Sequence, residues 1–82
     1  MLGFTVRAAE ALRRSAEAAE RFDPDARIRL TRAGTAVRAT FVHVAEAGDV
    51  AVKVPDGPEV LAAAGLEGTV DAGDHDTLSL RP

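Results

Sequence analysis

Hydrophobic and polar positions recur along the chain with two different periods. Between residues 8 and 22, in AAEALRRSAEAAERF, the residues Ala8, Leu12, Ser15, Ala19 and Phe22 fall at helical spacing on one stripe. Charges fill the opposite face, where Glu10 with Arg14 and Glu17 with Arg21 stand in the favourable i,i+4 order. Leu12 and Phe22 are the large members of that stripe, so the helix is expected to lie close on a sheet. Asp23-Pro24 ends it, because a residue before proline avoids the α region.

Elsewhere the period is two. Phe4-Thr5-Val6 suits a short edge strand. In RIRLT, residues 27–31, Ile28 and Leu30 alternate with Arg27, Arg29 and Thr31. Gly34 allows the chain to reverse, and Val37, Ala39 and Phe41 then alternate with Arg38 and Thr40. Past Phe41 the alternation blurs, with His43 in phase with Phe41. That predicts either cover on both faces or a bulge. After an Ala47-Gly48-Asp49 turn, Val50, Val52 and Val54 alternate again. Pro55-Asp56-Gly57 is a turn signal. Residues 58–64, PEVLAAA, favour one or two helical turns, with proline first and three alanines. The competing reading is a strand over 59–61 that pairs back on 50–54. Gly68 opens Thr69-Val70-Asp71, and residues 77–80 form a closing strand with Leu78 and Leu80 inward.

These elements predict a single α+β domain over residues 1–82. One N-terminal helix packs on a small, mostly antiparallel sheet pair or open barrel of five to seven short strands.

Composition narrows the chemistry. The 82 residues include no cysteine, which removes disulfides, thiolate nucleophiles and thiolate metal sites. Trp and Tyr are also absent, so base stacking would fall to Phe4, Phe22 and Phe41. The net charge is −3. It divides unevenly: residues 1–42 hold eight Arg against five acids, and residues 43–82 hold Lys53 and Arg81 against eight acids. The two halves are expected to neutralise each other on packing, the alternative being a basic face for an anionic partner. The lack of overall basic charge and of interleaved aromatics argues against nucleic acid. No apolar run approaches a membrane span of about 20 residues. The N-terminus lacks the order of a secretory signal, so a soluble cytoplasmic protein is expected.

Two clusters are candidates for chemistry. Asp71, Asp74, His75 and Asp76 gather carboxylates and an imidazole, a donor set suited to a divalent cation. Their spacing does not fit an EF-hand loop, and the plain reading is a polar turn. Arg27 and Arg29 share the outer face of one strand. With Arg38 across the hairpin and Arg32 they are candidates for a partner-binding patch. His43 is expected to be partly buried and bonded to a carbonyl. Ser15 is expected to face the sheet, and no nucleophile elbow or phosphate-binding glycine loop occurs.

The order FTVRAAEALRRSAEAAERF, ARIRLTRAG, ATFV, GDVAVKV, GTVDAG and TLSLRP resembles the HesB-like family, the A-type iron–sulfur cluster carriers. Carriers of this family hold iron or a cluster with three cysteines. One stands in a Gly-Cys-Ser-Gly-like turn after the second strand, and two form a Cys-Gly-Cys tail. Here the turn reads Ala33-Gly34-Thr35-Ala36, with Thr35 where the cysteine would stand. The tail would begin about where the sequence stops, at Pro82. The resemblance therefore implies the fold and self-association into a dimer, without the cluster and with no cofactor. The expectation is a non-enzymatic scaffold or accessory domain near iron–sulfur assembly, working through a protein partner. The alternative is a metal-binding or metal-sensing domain built on the 71–76 turn.

Overall fold

A computed structural model describes residues 2–81, without the side chain of Asp76. It contains one helix, α1 (Val6–Glu20), and seven strands. The strands are β1 (Leu2–Phe4), β2 (Arg27–Ala33), β3 (Ala36–Val42), β4 (Val50–Lys53), β5 (Glu59–Ala62), β6 (Gly68–Ala72) and β7 (Leu78–Arg81). The class is α+β.

All seven strands join one sheet in the order β1-β6-β7-β3-β2-β5-β4, rather than a pair of sheets. The sheet is mixed. β1 runs parallel to β6 and β2 parallel to β5, while the other four pairings are antiparallel. It curls until its two edge strands nearly meet: Leu2 of β1 and Val50 and Val52 of β4 line one cavity of about 240 Å³.

The registers explain the alternation in the sequence. Cross-strand neighbours share a face, so Leu30, Ala39, Ala62 and Val50 point one way and Arg29, Thr40, Leu61 and Ala51 the other. Of the inner set, Leu30 and Ala62 join Val37, Val60, Val70, Ala72 and Leu78 in the core, which α1 covers with Ala8, Ala9, Ala11 and Leu12, whereas Ala39 and Val50 on the same face are exposed. Leu78 is inward and buried as expected, and Leu80 packs beside it, partly covered.

Several local expectations need correction. Thr5 and Val6 are not strand. Thr5 caps α1, its Oγ1 accepting from the Ala8 N–H at 3.2 Å and donating to Asp71 Oδ1 at 2.8 Å. The buried stripe of α1 runs through Ala8, Ala9, Leu12 and Ala16, so Ser15 and Phe22 lie off it and are exposed. Residues 58–64 form no helix, and the competing strand reading holds, with 59–62 pairing back on β4. Their middle is β5, a strand bonded on both sides, to β2 and β4, with Val60, Leu61 and Ala62 all buried. Two ladders and three buried side chains outweigh the helix preference of three alanines, which is worth only tenths of a kcal/mol per residue. The blurred register after Phe41 is neither a bulge nor double cover, since β3 stops at Val42 and His43 turns away in a bend.

Candidate functional site

The β2–β3 hairpin positions most of the candidate side chains. Ala33 pairs with Ala36 across a two-residue loop, and Gly34 there has φ 64°. A positive φ at the first loop position alone fits a type II′ turn, which glycine allows. From this closing pair the faces follow. Arg27, Arg29 and Thr31 lie on the outer face opposite Val42, Thr40 and Arg38. Arg32 pairs with Val37 on the other face, so the four arginines do not form one patch.

Most of these arginines are already occupied. Arg29 holds Asp49 through two parallel hydrogen bonds, Nε to Oδ2 at 2.9 Å and NH2 to Oδ1 at 3.1 Å. Its NH2 also meets Glu46 Oε2 at 2.9 Å. The Asp49 side chain is fully covered, and Oδ2 also accepts from the Glu46 N–H at 2.9 Å. This clamp fastens the loop between β3 and β4 to the outside of β2, beside Leu61, an outward residue only 2% exposed. Arg27 pairs with Glu59 at 3.2 Å, and Arg32 Nε donates to the Gly34 carbonyl at 2.8 Å. Arg38 is exposed and has no ion-pair partner among the described residues. Arg27 and Arg29 take acids from the second half of the chain, so the two halves do neutralise each other at these points.

The acidic turn is split. Asp71 lies in β6, where Oδ1 accepts from Thr5 and from the Ala72 N–H at 2.9 Å, and Oδ2 faces Arg81 NH1 at 3.6 Å. Asp74 and His75 belong to a short 3-10 turn, with His75 at φ 58°. The Asp76 side chain lies outside the described residues. Among the described residues no group of three or more His, Asp or Glu is placed to hold a metal ion. His43 is exposed rather than partly buried, and it bonds the Asp23 carboxylate rather than a carbonyl.

Three carboxyls sit below their ordinary range. Asp49 is lowered by the Arg29 hydrogen bonds and then by the Glu46 amide. Asp71 is lowered by the Thr5 hydroxyl and then the Ala72 amide, and Asp23 chiefly by His43. A carboxyl depressed in the folded state contributes stability that is complete above its unfolded value, near 4 for Asp. That contribution is lost as the pH falls through the lower folded value. The urea midpoint is therefore expected to stay level from pH 7 to about 5 and to fall below about 4. In Asp49→Asn the midpoint at neutral pH should drop and the acid fall should become shallower. Urea titrations across this range check it. An acid slope unchanged in the variant would remove Asp49 from the account.

What remains open is a strand edge. Counting from the Ala33–Ala36 pair, residues 36, 38, 40 and 42 bond β2, and residues 37, 39 and 41 direct their N–H and C=O groups away from it. The Leu80 N–H bonds the Thr35 carbonyl, in keeping with this phase. β7 pairs with β3 only at Ala36–Ser79 and Val37–Leu78. Beyond that point Ala39 and Phe41 have no strand partner on this side among the described residues. Over the same edge lies an apolar patch. Phe41, on the inner face, is 53% exposed, and Phe22, just past α1, is 89% exposed. They line a shallow hollow with Ser15, Ala18 and Ala19. A deeper groove of about 170 Å³ continues from Phe41 past Ile28, Pro24 and Pro58.

The sequence pattern did not reveal this edge. The length mismatch between β3, with seven residues, and β7, with four, is its cause. That signal was readable only once the strands were known to be neighbours. Compared with family models, with curated proteins and with solved structures, the chain has no match. Among the described residues, no helix is long and apolar enough to cross a membrane.

Proposed function

We propose that this is a non-enzymatic domain of HesB-like type that acts by contact, as a small scaffold or accessory protein in the cytoplasm. The observation that carries the reading is the unpaired edge of β3 under the exposed rings of Phe22 and Phe41. An open strand edge offers main-chain hydrogen bonds to another chain, and adjoining apolar side chains add affinity. Candidate reactive groups elsewhere are engaged in the fold: Arg29 with Asp49, Asp71 with Thr5, His43 with Asp23.

The HesB-like part of the proposal rests on the element order and on the Ala33-Gly34-Thr35-Ala36 turn. In this reading the domain serves iron–sulfur assembly through a protein partner and carries no cluster, because a threonine hydroxyl does not replace a thiolate ligand. Purified protein incubated anaerobically with iron and sulfide, then desalted, is expected to retain no stoichiometric iron and no visible absorbance. A stable brown species with bound iron would overturn the contact-only reading.

A further inference from the structure

We infer that the groove between the end of α1 and the start of β5 receives an arginine or lysine side chain from a basic segment of a partner protein. The inference rests on the contact reading and deepens it, naming the chemistry of the partner.

The groove is built from small and rigid residues. Ala16 and Ala19 of α1 and the buried Ile28 of β2 form its apolar floor, and Pro24 and Pro58 stand at its sides. The Pro24 side is fixed by turn bonds. The Phe22 and Asp23 N–H groups both donate to the Ala19 carbonyl, at 2.9 and 2.8 Å, and the Ala26 N–H donates to the Asp23 carbonyl at 3.1 Å. The Pro58 side is fixed through its carbonyl, which accepts from the Val54 N–H at 3.0 Å. A hollow held open in this way costs little ordering when a side chain enters it. Its strand walls belong to β2, β3 and β5, and the sheet order sets β7 and the turn before it beyond β3.

The mouth of the groove is acidic. Residues 17–27, on one side, hold four acids against Arg21 and Arg27, and residues 53–59, on the other, hold Asp56 and Glu59 against Lys53. Two of these bases are committed: Arg27 pairs with Glu59 Oε1 at 3.2 Å, and Lys53 Nζ donates to the Gly57 carbonyl. Glu20 lines the groove, is exposed and has no ion-pair or hydrogen-bond partner among the described residues. The helix adds to this charge. A helix C-terminus carries partial negative charge and favours a cation, yet α1 has no basic residue in its last turn, where Glu17 and Glu20 stand instead.

An apolar cleft under an acidic mouth selects its occupant. Arginine and lysine lay an apolar stem along such a surface and keep the charged head at the rim. There the head meets Glu20, the second oxygen of Glu59 and the end of α1. Nucleic acid and anionic lipid are repelled by the same charges, and a wholly apolar side chain leaves them unanswered. At about 170 Å³ the groove takes one side chain rather than a helix or a strand.

The probe is a capped heptapeptide, Gly-Ser-Leu-Arg-Leu-Ser-Gly, titrated into the isotopically labelled full chain and followed by amide NMR. It should shift the Ala19, Glu20, Ile28 and Glu59 signals together, with a dissociation constant on the order of 100 µM. Citrulline in place of the arginine keeps the shape and removes the charge, and should weaken binding about fivefold, the upper end for one exposed ion pair. Glu20→Gln should weaken the arginine peptide to the same degree and leave the citrulline peptide unaffected. Glu10→Gln, at an exposed acid of the same helix outside the groove, should change neither. Both variants alter exposed side chains, so circular dichroism and the urea midpoint should match the unmodified chain. Equal binding of the two peptides, full binding by Glu20→Gln, or no shift at about 2 mM peptide overturns the proposal. So does movement of the same signals on concentrating the protein alone, which makes a second copy the occupant. None of these results touches the contact-only reading, which stands or falls with the iron and sulfide experiment.

Discussion

A Gly68→Ala variant is expected to lose about half of the protein's folding stability. Gly68 opens β6 with φ 111°, a backbone conformation that side chains rarely adopt. A Cβ there would lie 2.6 Å from the Arg81 carbonyl oxygen, well inside contact distance, and that oxygen is backbone of β7. Strained backbone costs roughly 1–3 kcal/mol and overpacking a further 1–3 kcal/mol. A domain of this length has about 4–12 kcal/mol in total. The position is also structurally central, since β6 bonds β1 on one side and β7 on the other. Gly34→Ala is the matched control. It shares the positive φ, at 64°, but a Cβ there meets nothing within 4 Å. That variant should lose only about 1 kcal/mol. Urea unfolding of both separates strain from collision, and equal losses would remove the collision from the account.

The second large effect lies in α1. Leu12→Ala should cost about 2–5 kcal/mol, the usual range for deleting a fully buried leucine. Leu12 is 1% exposed, and its buried neighbours on the helix are all alanines, so nothing adjacent can fill the space it leaves. Phe22→Ser should change stability by no more than about 0.5 kcal/mol, as for an ordinary surface site. The hydrophobic pattern gave these two residues the same standing, and the same urea experiment distinguishes them. A large loss in Phe22→Ser would mean that the ring packs in the folded monomer.

That contrast shows how much the sequence disclosed. Alternation placed β2, β3, β4 and β7 well, because in each the apolar residues share the inner face of the sheet, although β3 buries only Val37 and β4 buries none. It failed at β5, where both faces are buried and Val60, Leu61 and Ala62 show no period at all. Helical spacing located α1 but rotated its stripe by about one position toward Phe22, since alanines mark an inner face weakly. Thr5 carried a cap signal that a short apolar run concealed. For the site, the strand face of Arg27 and Arg29 was legible, and their partners were not. Glu59, Glu46 and Asp49 are 17–32 residues away in sequence, and only the β2–β5 and β4–β5 pairings bring them close. The free edge of β3 was invisible for the same reason, because it is defined by where a distant strand stops.

The tie between the two ends of the chain bears on how the protein is made. Helix α1 packs chiefly on β6 and β1, and β1 itself pairs with β6. When α1 is complete on the ribosome, about fifty residues remain before β6 is synthesised, a wait of several seconds at typical elongation rates of about 5–20 residues per second. A 15-residue helix is marginal alone in water, so during that interval the N-terminal segment has no partner to hold it. The β2–β3 hairpin, closed by a two-residue loop, can form first and without it. The nascent chain is thus expected to pair β2 with β3 before α1 docks and before β6 and β7 are synthesised, so the earliest paired strands are also the ones with the most exposed edge.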